Sequence, residues 1–420
     1  MSVLVVGSIA LDTVKTPIEE HADLLGGSAS YAAVGASFFS PVQMVGVVGE
    51  DFPTAHVDYF KSRQIDLEGL QIVQNVVSTR TTLPILSNVL LQANDGLLRL
   101  TTTDLDVGVS GAIAATVERT GATTLPARRL ATIVRELPAS EVTLEVDSKN
   151  VASIRCGQSF FKILGLPEEE FPPLPKFDDA KVFNIGQQQL RDGLKKTAYA
   201  ISTDETRYVL NGILFSFKDN KLTMVATDGR RLALVDVEME FPRSQEVDII
   251  VPTKCVTELA RLIGDEGDLK MSVGDNQVAF EVNGTLLVSK LIEGNYPNYR
   301  QVIPGEARER ITLERELFHT AVHRVSLLAS EKSNSVKLVF SKNNIEICAN
   351  TPDVGEARES LAVTYKGKEF SIAFNPEFLM APLKNLTNDE VFLDLIDEMS
   401  PGVIKIQSPF LYVLMPMRIS

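Results

Sequence analysis

The chain has 420 residues, of which 44% are hydrophobic and 23% charged, and its formal net charge at pH 7 is -14. This length is enough for about three domains of roughly 100 to 200 residues each, and the composition excludes extended disorder. An excess of acidic residues argues against a nucleic-acid partner, because phosphate binding is mainly electrostatic. That argument fails only if the basic residues are concentrated on one part of the surface.

The sequence contains no apolar run of about 18 residues or more, which predicts the absence of a membrane span. Residues 1–14 are apolar but lack a basic region and a small-residue cleavage site, so we expect a buried strand rather than an export signal. The three cysteines are scattered and outside any CxxC pattern: Cys156, Cys255 and Cys348. This usage indicates a reducing, cytoplasmic compartment, and we expect neither a metal site nor a cofactor.

Residues 3–65 alternate predicted strands and helices, in the order 3–9 (strand), 28–39 (helix), 42–48 (strand) and 54–64 (helix). This βαβα order is typical of a parallel sheet covered on both faces. The Gly26-Gly27 turn precedes a helix, where it could hold an anion. Ordinary turn chemistry is the alternative, because the Gly-Lys-Ser/Thr of a phosphate-binding loop does not follow.

Three motifs in this region, in chain order, are VVGSIALDTV (5–14), LGGSASYAAVGASFF (25–39) and VGVVGEDF (45–52). They resemble the N-terminal part of the ribokinase-like carbohydrate and nucleoside kinases, a resemblance that implies sugar contacts from Asp12 and the Gly26-Gly27 pair. The resemblance ends near residue 73, and the family's Gly-Ala-Gly-Asp anion hole and catalytic base do not follow. Without these groups no phosphoryl transfer is expected. Residues 1–65 are therefore interpreted as a partial α/β kinase-like segment.

From about residue 66 the pattern changes to strands of two-residue period, with two helices per unit. Three similar hairpins follow, at 97–109, 221–235 and 344–355. Spacings of 124 and 123 residues separate their turn positions, which are Asp104, Asp228 and Thr351. Spacings of 126 and 124 residues separate the prolines at the start of each second helix, which are Pro126, Pro252 and Pro376. Two markers with one period predict three tandem domains, at 66–176, 177–303 and 304–420.

The first helix of each domain is predicted at 67–78, 187–201 and 315–329. Apolar residues recur at helical spacing in the second of these, which gives one buried and one exposed face. The exposed faces are basic: net charges are +2 for 127–137, +2 for 187–201, +1 for 252–264 and +1 for 315–329. Helices on one side of the molecule would then form a positive band that follows phosphates without reading bases. The alternative is an ordinary solvated surface.

Residues 66–420 resemble the family of the bacterial DNA polymerase III β subunit, the sliding clamps. The motifs that carry the resemblance are RTTLPILSNVLL (80–91), LTTTDLDV (100–107), TLPARRL (124–130), ETRYVLNGILF (205–215), VATDGRRLAL (225–234), NYPNYRQVIP (295–304), LLASEKSNSVKL (327–338) and YVLMPMRIS (412–420). The resemblance implies an α+β fold with three clamp domains, and two subunits closed head-to-tail into a ring. Helices would line the hole, sheets would face outward, and no catalytic residue is implied.

The ring would retain double-stranded DNA by enclosing it, so individual contacts can be weak and independent of sequence. The predicted DNA-facing residues combine matched motif positions with basic helix residues: Arg80, Arg128, Lys195, Lys196, Arg207, Tyr208 and Lys254. Val209 stands where relatives place a second tyrosine. For Arg207 and Tyr208, a structural role at a strand start is the alternative. Homodimer contacts are expected where the strand 160–164 meets the third domain of the other subunit, with Phe161 and Ile163 facing Leu327 and Leu328.

Partners of this family insert a short peptide, with a glutamine and apolar side chains, into a cleft between the second and third domains. The resemblance implies the replicative polymerase, the clamp loader and other proteins with such peptides. The matching cleft residues are Leu210, Thr227, Gly229, Arg231, Leu232, Pro297, Val302, Val413, Met415, Pro416 and Met417. Residues 413–417 also fit a last core strand, and both interpretations are compatible because alternate strand residues face opposite ways.

The sequence thus predicts a non-enzymatic, cytoplasmic processivity clamp. Two alternatives remain. A carbohydrate kinase would depend on the first 65 residues alone. An inactive fusion product would have the kinase-like segment in place of the first strand of the first clamp domain, with the joint within residues 65–80. The loss of that strand would leave an exposed sheet edge.

Overall fold

The structure is a computed structural model that describes residues 83–417, except 139, 178–179, 330–333 and 353, and the backbone of four short strands before residue 46. The chain divides into two compact units. One comprises Met1–Gly96 with Thr116–Phe171, and the other comprises Leu97–Ala115 with Pro172–Ser420. The predicted domain boundaries at 66, 177 and 304 remain a prediction. No helix in the described ranges has the length and hydropathy needed to cross a bilayer.

The four N-terminal strands are β1 (Val3–Val6), β2 (Ala10–Lys15), β3 (Glu20–Gly26) and β4 (Val42–Val45). Strands β1 and β4 pair in parallel, as the two apolar runs predict. Strands β2 and β3 form an antiparallel hairpin, which the βαβα interpretation did not include. The predicted helices at 28–39, 54–64 and 67–78 lie outside the described residues. The paired strands alone do not support a kinase-like segment.

After these strands, the described chain repeats one pattern of strands and helices three times. The first copy contains β5 (Asn88–Asn94), β6 (Leu97–Thr103), β7 (Val107–Ala114), β8 (Gly121–Pro126), α1 (Ala127–Glu136), β9 (Thr143–Val146), β10 (Val151–Cys156) and β11 (Ser159–Leu164). The second contains β12 (Lys181–Gly186), α2 (Gln187–Thr197), β13 (Gly212–Lys218), β14 (Lys221–Thr227), β15 (Arg231–Glu238), β16 (Val247–Pro252), α3 (Thr253–Leu262), β17 (Asp268–Val273), β18 (Gln277–Val282) and β19 (Thr285–Lys290).

The third copy contains β20 (Glu309–Glu314), α4 (Arg315–Ser326), β21 (Val336–Ser341), β22 (Asn344–Thr351), β23 (Gly355–Ala362), β24 (Phe370–Phe374), α5 (Pro376–Asn385), β25 (Glu390–Leu395), β26 (Gly402–Lys405) and β27 (Phe410–Leu414). Short 3-10 turns lie at Pro84–Ser87, Glu168–Glu170, Ala198–Ala200, Glu205–Leu210, Arg243–Gln245 and Tyr299–Val302. Antiparallel sheets with few helices define an α+β fold.

Equivalent strands pair alike in each repeat, which confirms the three-fold repetition. The hairpins β6–β7, β14–β15 and β22–β23 are all antiparallel. So are the pairs β5–β8, β13–β16 and β21–β24. The meanders β9–β10–β11, β17–β18–β19 and β25–β26–β27 complete the pattern. Strand β12 pairs with β17, and β20 with β25. Among the described residues of 83–171, β9 has no equivalent partner, and the predicted loss of the first strand stays a prediction.

Successive repeats are joined edge to edge. Strand β7 of the first repeat pairs antiparallel with β19 of the second, and β15 of the second pairs antiparallel with β27 of the third. In both joins, the second strand of one repeat's hairpin, β7 or β15, meets the last strand of the next repeat. Backbone pairing across a join satisfies the edge N–H and C=O groups that a free strand leaves exposed.

The first helices of the second and third repeats are shorter in the structure than the sequence predicts. Helix α2 ends at Thr197, and Ala198–Ala200 continues as a 3-10 turn, while α4 ends at Ser326 rather than at 329. Helix α2 lies close against the hairpin β14–β15, because a Cβ atom on Gly193 would lie 2.6 Å from Met224 Sδ. Met224 and Val225 are both fully buried, and they occupy opposite faces of β14. One face of this hairpin therefore supports a helix, and the other is free to support a second apolar layer.

A buried carboxylate ties the strands of the third repeat together. Asp394 on β25 is 3% exposed and accepts hydrogen bonds from Arg310 Nε at 2.7 Å and Arg310 Nη2 at 2.8 Å. Lys405 Nζ lies 2.9 Å from the same carboxylate. Burial raises the pKa of Asp394, but the hydrogen bonds from Arg310 and Lys405 outweigh it, so the pKa lies below its ordinary value.

We expect Asp394→Asn to lower the free energy of unfolding at pH 7 by about 1–2 kcal/mol, because two cations that remain partly in water lose a charged acceptor. A carboxylate with a depressed folded pKa stabilises the fold above its unfolded pKa of about 3.9, and the effect is lost as pH falls through the folded pKa. Urea denaturation should show a constant difference from wild type down to about pH 5 and a shrinking difference below about pH 4.

The matched control is Asp265→Asn, because Asp265 pairs with Arg191 but its side chain is 83% exposed. This substitution should leave the urea midpoint unchanged throughout the titration. A difference for Asp394→Asn that stays constant down to pH 3 would contradict the assignment of Asp394 as the titrating group.

Candidate functional site

The predicted partner cleft is centred on the join between β15 and β27. The hairpin β14–β15 turns at Asp228-Gly229, where Gly229 has a φ of +84°, a conformation that favours glycine. In the join, Leu232 lies opposite Val413. Just before β15 begins, Arg230 O accepts a hydrogen bond of 3.0 Å from Met415 N. The turn of the second repeat and the last strand of the third are thus held in one register by backbone hydrogen bonds.

A buried apolar floor lies beneath this join. Leu232 and Val413 are each 2% exposed and pack with three further core residues, Leu214, Val225 and Ile250. Leu210 is also buried. The half-buried side chains around the floor include four that the sequence did not assign to the cleft: Val209, Tyr296, Tyr299 and Ile303. The recurring apolar residues of NYPNYRQVIP (295–304) are the signal that could have identified the last three.

Above the floor, several predicted cleft residues remain in contact with water. Val302 is 50% exposed and Met415 is 45% exposed. Gly229 and Pro297 are exposed, whereas Thr227, Pro416 and Met417 are half-buried. The backbone N–H of Met417 donates to Ala373 O at 2.7 Å, which anchors the end of this segment on the third repeat. Exposed apolar side chains that border a buried apolar layer mark a binding surface.

Arg231, another residue of the predicted cleft, has a largely buried side chain. Its side chain is 15% exposed, and Nε donates to Asp228 Oδ2 at 3.0 Å. Its Cζ atom lies 4.3 Å from the centre of the Phe378 ring on α5. Burial raises the pKa of Tyr412 above its ordinary value, and the nearby Arg231 guanidinium opposes the rise. Arg231, a residue of the predicted cleft, therefore joins the second and third repeats, and no local pattern in the sequence predicts its contact with Phe378.

The 3-10 turn Glu205–Leu210 carries two predicted DNA-facing residues. Tyr208 is 58% exposed. Arg207 Nε donates to Asp204 Oδ2 at 3.1 Å, and hydrogen bonds from Thr206 and Arg207 hold the pKa of Asp204 below its ordinary value. A Cβ atom on Gly229 would lie 2.7 Å from Arg207 Nη1, so this guanidinium lies against the turn at the cleft. Its predicted contact with DNA stays a prediction.

Tyr208 also borders a surface depression of about 440 Å³. The other residues around it are Ser202, Thr203, Asn211, Pro252, Thr253, Lys254 and Ile292. The depression lies at the start of α3, where Thr253 N donates to Asn211 O at 3.0 Å. The turn with Tyr208 and the helix with Lys254 are therefore neighbours, which brings two of the predicted DNA-facing residues to one surface.

Several basic residues counted on the helix faces are paired with acidic residues. Lys254 pairs with Asp104, Arg191 with Asp265, and Arg324 with Glu359. Arg315 pairs with Glu316 and also donates to the carbonyls of Leu383 and Asn388. The net charges read from the sequence therefore overestimate the free positive charge on the helices.

The remaining predicted DNA-facing residues differ in their accessibility. Arg128 on α1 and Lys195 on α2 are exposed, and Lys196 is half-buried. In the described part of the chain, none of these three has an acidic partner within salt-bridge distance. Arg80 lies outside the described residues. Helix α2 is thus the element on which adjacent unpaired lysines support the predicted positive surface most directly.

Burial differs along the predicted homodimer strand, whose contacts with a second subunit stay a prediction. Ile163 on β11 is 4% exposed and belongs to the interior of its own unit, and Phe161 on the same face is half-buried. Alternate residues face the other way, so Phe160 and Leu164 are the exposed apolar side chains of β11, at 49% and 75%. At the end of α4, Leu327 is 70% exposed, whereas Leu328 is half-buried.

Three domain models of one family match this chain in sequence order. They are the N-terminal, central and C-terminal domains of the DNA polymerase III beta subunit, at residues 61–175, 184–298 and 300–418. The first match begins five residues before the predicted boundary at 66. The carbohydrate kinase alternative, which depends on residues 1–65, is not favoured by these matches.

Relatives of known identity agree with the domain matches. A beta sliding clamp from Chlamydia muridarum is 36% identical over 347 residues, covering 83% of this chain and 95% of the relative. The beta sliding clamp of Escherichia coli K12 is 35% identical over 361 residues, covering 84% of this chain and 97% of the relative.

Solved structures of clamps also superpose on this chain. The structure from Bartonella birtlesii, bound to griselimycin, has a TM-score of 0.80 and 37% identity, covering 85% of this chain and 99% of that one. The structure from Bacillus subtilis has a TM-score of 0.82 and 30% identity, covering 85% of this chain and 98% of that one. The chain therefore belongs to the DNA polymerase III beta subunit family, the sliding clamps.

Proposed function

We propose that two copies of this chain close into a ring that encloses duplex DNA and acts as a processivity clamp for the replicative polymerase. The observation that carries the proposal is the repeated join between the second strand of one repeat's hairpin and the last strand of the next repeat, in β7–β19 and β15–β27. By the same rule, the edges left over are β23 of the third repeat and β11 of the first. A second copy, arranged head-to-tail, supplies the missing partner for each edge.

The side chains near these two edges fit such a contact. Leu164 and Leu327 are the most exposed apolar residues there, at 75% and 70%. Leu328 Cδ1 would lie 4.0 Å from a Cβ atom on Gly355, which places the end of α4 beside the start of β23. Burial of these leucines and pairing of both edges would remove an exposed apolar surface and two unpaired strands.

The same ring places the helices of the three repeats around the hole and the sheets outside. DNA would then meet Arg128, Lys195 and Lys196, with Arg80, Arg207, Tyr208 and Lys254 as further contacts. Such contacts with phosphates carry no base specificity. The acidic exterior implied by a net charge of -14 repels DNA from the outer surface. The function requires no catalytic group or cofactor, and we place it in the cytoplasm.

Partner proteins would dock in the cleft at the β15–β27 join. A buried floor formed by Leu232 and Val413, bordered by the exposed Val302 and Met415, suits a short peptide with apolar side chains. Methionine adapts its shape to different ligands. We propose the replicative polymerase, the clamp loader and other proteins with clamp-binding peptides as partners. For residues 1–65, a partial kinase-like segment remains our proposal.

The ring can be tested by its topology on DNA. Light scattering should give the mass of a dimer, twice the 46.0 kDa of one chain. Clamps loaded on nicked circular DNA should remain bound through gel filtration and should be lost after the circle is linearised, because an enclosing ring is held by topology rather than affinity. A monomer, or equal retention on circular and linear DNA, would contradict the proposal.

The DNA-facing surface can be tested by removal of charge from α2. We expect the double substitution Lys195→Gln and Lys196→Gln to weaken association with duplex DNA. The slope of the logarithm of the binding constant against the logarithm of the salt concentration should become shallower by up to about 1.8, because each of about two lost phosphate contacts changes it by roughly 0.9. Fluorescence anisotropy over a salt series measures both quantities. The matched control is Lys270→Gln, whose side chain pairs with Glu281 on the β17–β18 strand pair; an equal loss in the control would refute the assignment.

The cleft can be tested at an accessible methionine. Met415→Ala should weaken binding of a labelled peptide containing glutamine, leucine and phenylalanine by about fivefold or more, since truncation of a central contact costs roughly 1 kcal/mol or more. Met399→Ala is the matched control, because Met399 is 75% exposed and outside the cleft. Leu232→Ala is a poorer test, because its truncation costs the fold about 2–5 kcal/mol. Equal peptide affinities for both methionine variants would exclude Met415 from the site.

A further inference from the structure

Asp228 uses both of its carboxylate oxygens at the turn beside the cleft. Oδ1 accepts hydrogen bonds from Arg230 N at 2.9 Å and Arg231 N at 3.0 Å. Oδ2 accepts from Arg231 Nε at 3.0 Å. The side chains of Asp228 and Arg231 are only 16% and 15% exposed. One carboxylate therefore shapes the turn through the backbone and, separately, fixes the direction of the Arg231 side chain.

The direction of Arg231 matters because of what lies beyond it. With Nε held by Asp228, the guanidinium rests on the Phe378 ring of α5 at 4.3 Å. Phe378 O in turn accepts a hydrogen bond of 2.7 Å from Tyr412 Oη on β27. A chain of contacts thus runs from the turn of the second repeat to a helix and the last strand of the third. Both sides of the cleft are attached to this chain.

The first repeat uses the equivalent aspartate in a similar way. Asp104 Oδ1 accepts hydrogen bonds from Asp106 N at 3.1 Å and Val107 N at 2.8 Å, and its Oδ2 pairs with Lys254. Lys254 lies in the first turn of α3, as Phe378 lies in the first turn of α5. At both turns, the carboxylate is thus linked to the second helix of the following repeat. Asp104 pairs directly with Lys254 on that helix, whereas Asp228 holds Arg231, which contacts Phe378 on that helix.

We propose that Asp228 is a positioning residue for the peptide cleft: it holds Arg231 against Phe378 and thereby sets the separation between the hairpin turn and the third repeat that a docked peptide requires. The inference rests on the proposed function of the cleft and adds a residue that does not itself border it. Asp228 acts through Arg231, so its effect on peptide binding disappears when Arg231 cannot respond.

Asp228→Asn isolates this role. The amide oxygen still accepts the two backbone N–H groups of the turn, whereas the amide nitrogen cannot accept from Arg231 Nε. We expect about tenfold weaker binding of the labelled glutamine–leucine–phenylalanine peptide by fluorescence anisotropy. In an Arg231→Met background, which keeps an unbranched apolar stem but has no donor, the same substitution should change the affinity less than twofold.

The matched control is Asp236→Asn, which removes one of the two carboxylate oxygens that accept hydrogen bonds from Lys221 Nζ at 2.7 Å and Thr223 Oγ1 at 2.6 Å in the same hairpin. Asp236 lies five residues along β15 from Arg231, on the order of 16 Å away, and its loss should leave the affinity within twofold of wild type. Arg231→Lys is a second test that leaves the turn intact, because lysine lacks the planar guanidinium and its Nε donor. It should weaken peptide binding as Asp228→Asn does.

Unchanged affinity for Asp228→Asn, or an equal loss in the Arg231→Met background, overturns the positioning role while the cleft itself stands. If circular dichroism shows that Asp228→Asn is unfolded, Arg231→Lys becomes the deciding variant. Normal peptide affinity of Arg231→Lys would then overturn the positioning role of Asp228. A wild-type protein that does not bind the peptide refutes the proposed cleft and this inference together, so the two failures are distinguishable.

Discussion

The unpaired backbone groups along the edges of the sheets are the constraint on which this structure depends. A free edge leaves N–H and C=O groups without partners and invites uncontrolled pairing. This chain satisfies two such edges internally, where β7 meets β19 and β15 meets β27. The rule that joins the repeats also identifies β11 and β23 as the edges for a second copy. Assembly of the proposed ring is therefore the intermolecular continuation of the way in which the repeats are joined within one chain.

The proposed peptide cleft is a consequence of one of these joins. Pairing of Leu232 opposite Val413 brings apolar residues of two repeats into one buried floor, which neither repeat could form alone. The opposite face of the same hairpin packs on α2, where Gly193 allows the helix to approach Met224. The hairpin 221–235 thus supports a helix of the proposed inner wall on one side and the docking surface on the other. Substitution of a buried residue in this hairpin would therefore affect both surfaces, whereas Met415, which follows β27 and is 45% exposed, can be changed separately.

The sequence was sufficient to predict features with a local signature. The spacing of Asp104, Asp228 and Thr351 predicted the three hairpins, and the prolines at 126, 252 and 376 predicted the starts of the second helices. Pairings between distant residues were not predictable. Lys254 and Asp104 are 150 positions apart, and Arg191 and Asp265 are 74 apart, so a count of charges along a helix could not identify which of them are neutralised. The inward orientation of Ile163 likewise depends on the register of β11, which no local pattern fixes.

The three hairpin turns differ in a way that bears on the ring. Asp104 and Asp228 each direct a carboxylate toward the following repeat, through Lys254 and through Arg231. Thr351 occupies the equivalent position in the third repeat, and its hydroxyl donates to Leu328 O at 2.7 Å within its own repeat. A hydroxyl cannot supply the charge of a carboxylate. At this position, the first join within the chain is reinforced by the ion pair of Asp104 with Lys254, and the second by the Arg231 guanidinium that Asp228 holds against Phe378. The proposed join between copies depends instead on strand pairing and on exposed leucines. The subunit contact is thus the joint of the proposed ring that should separate first.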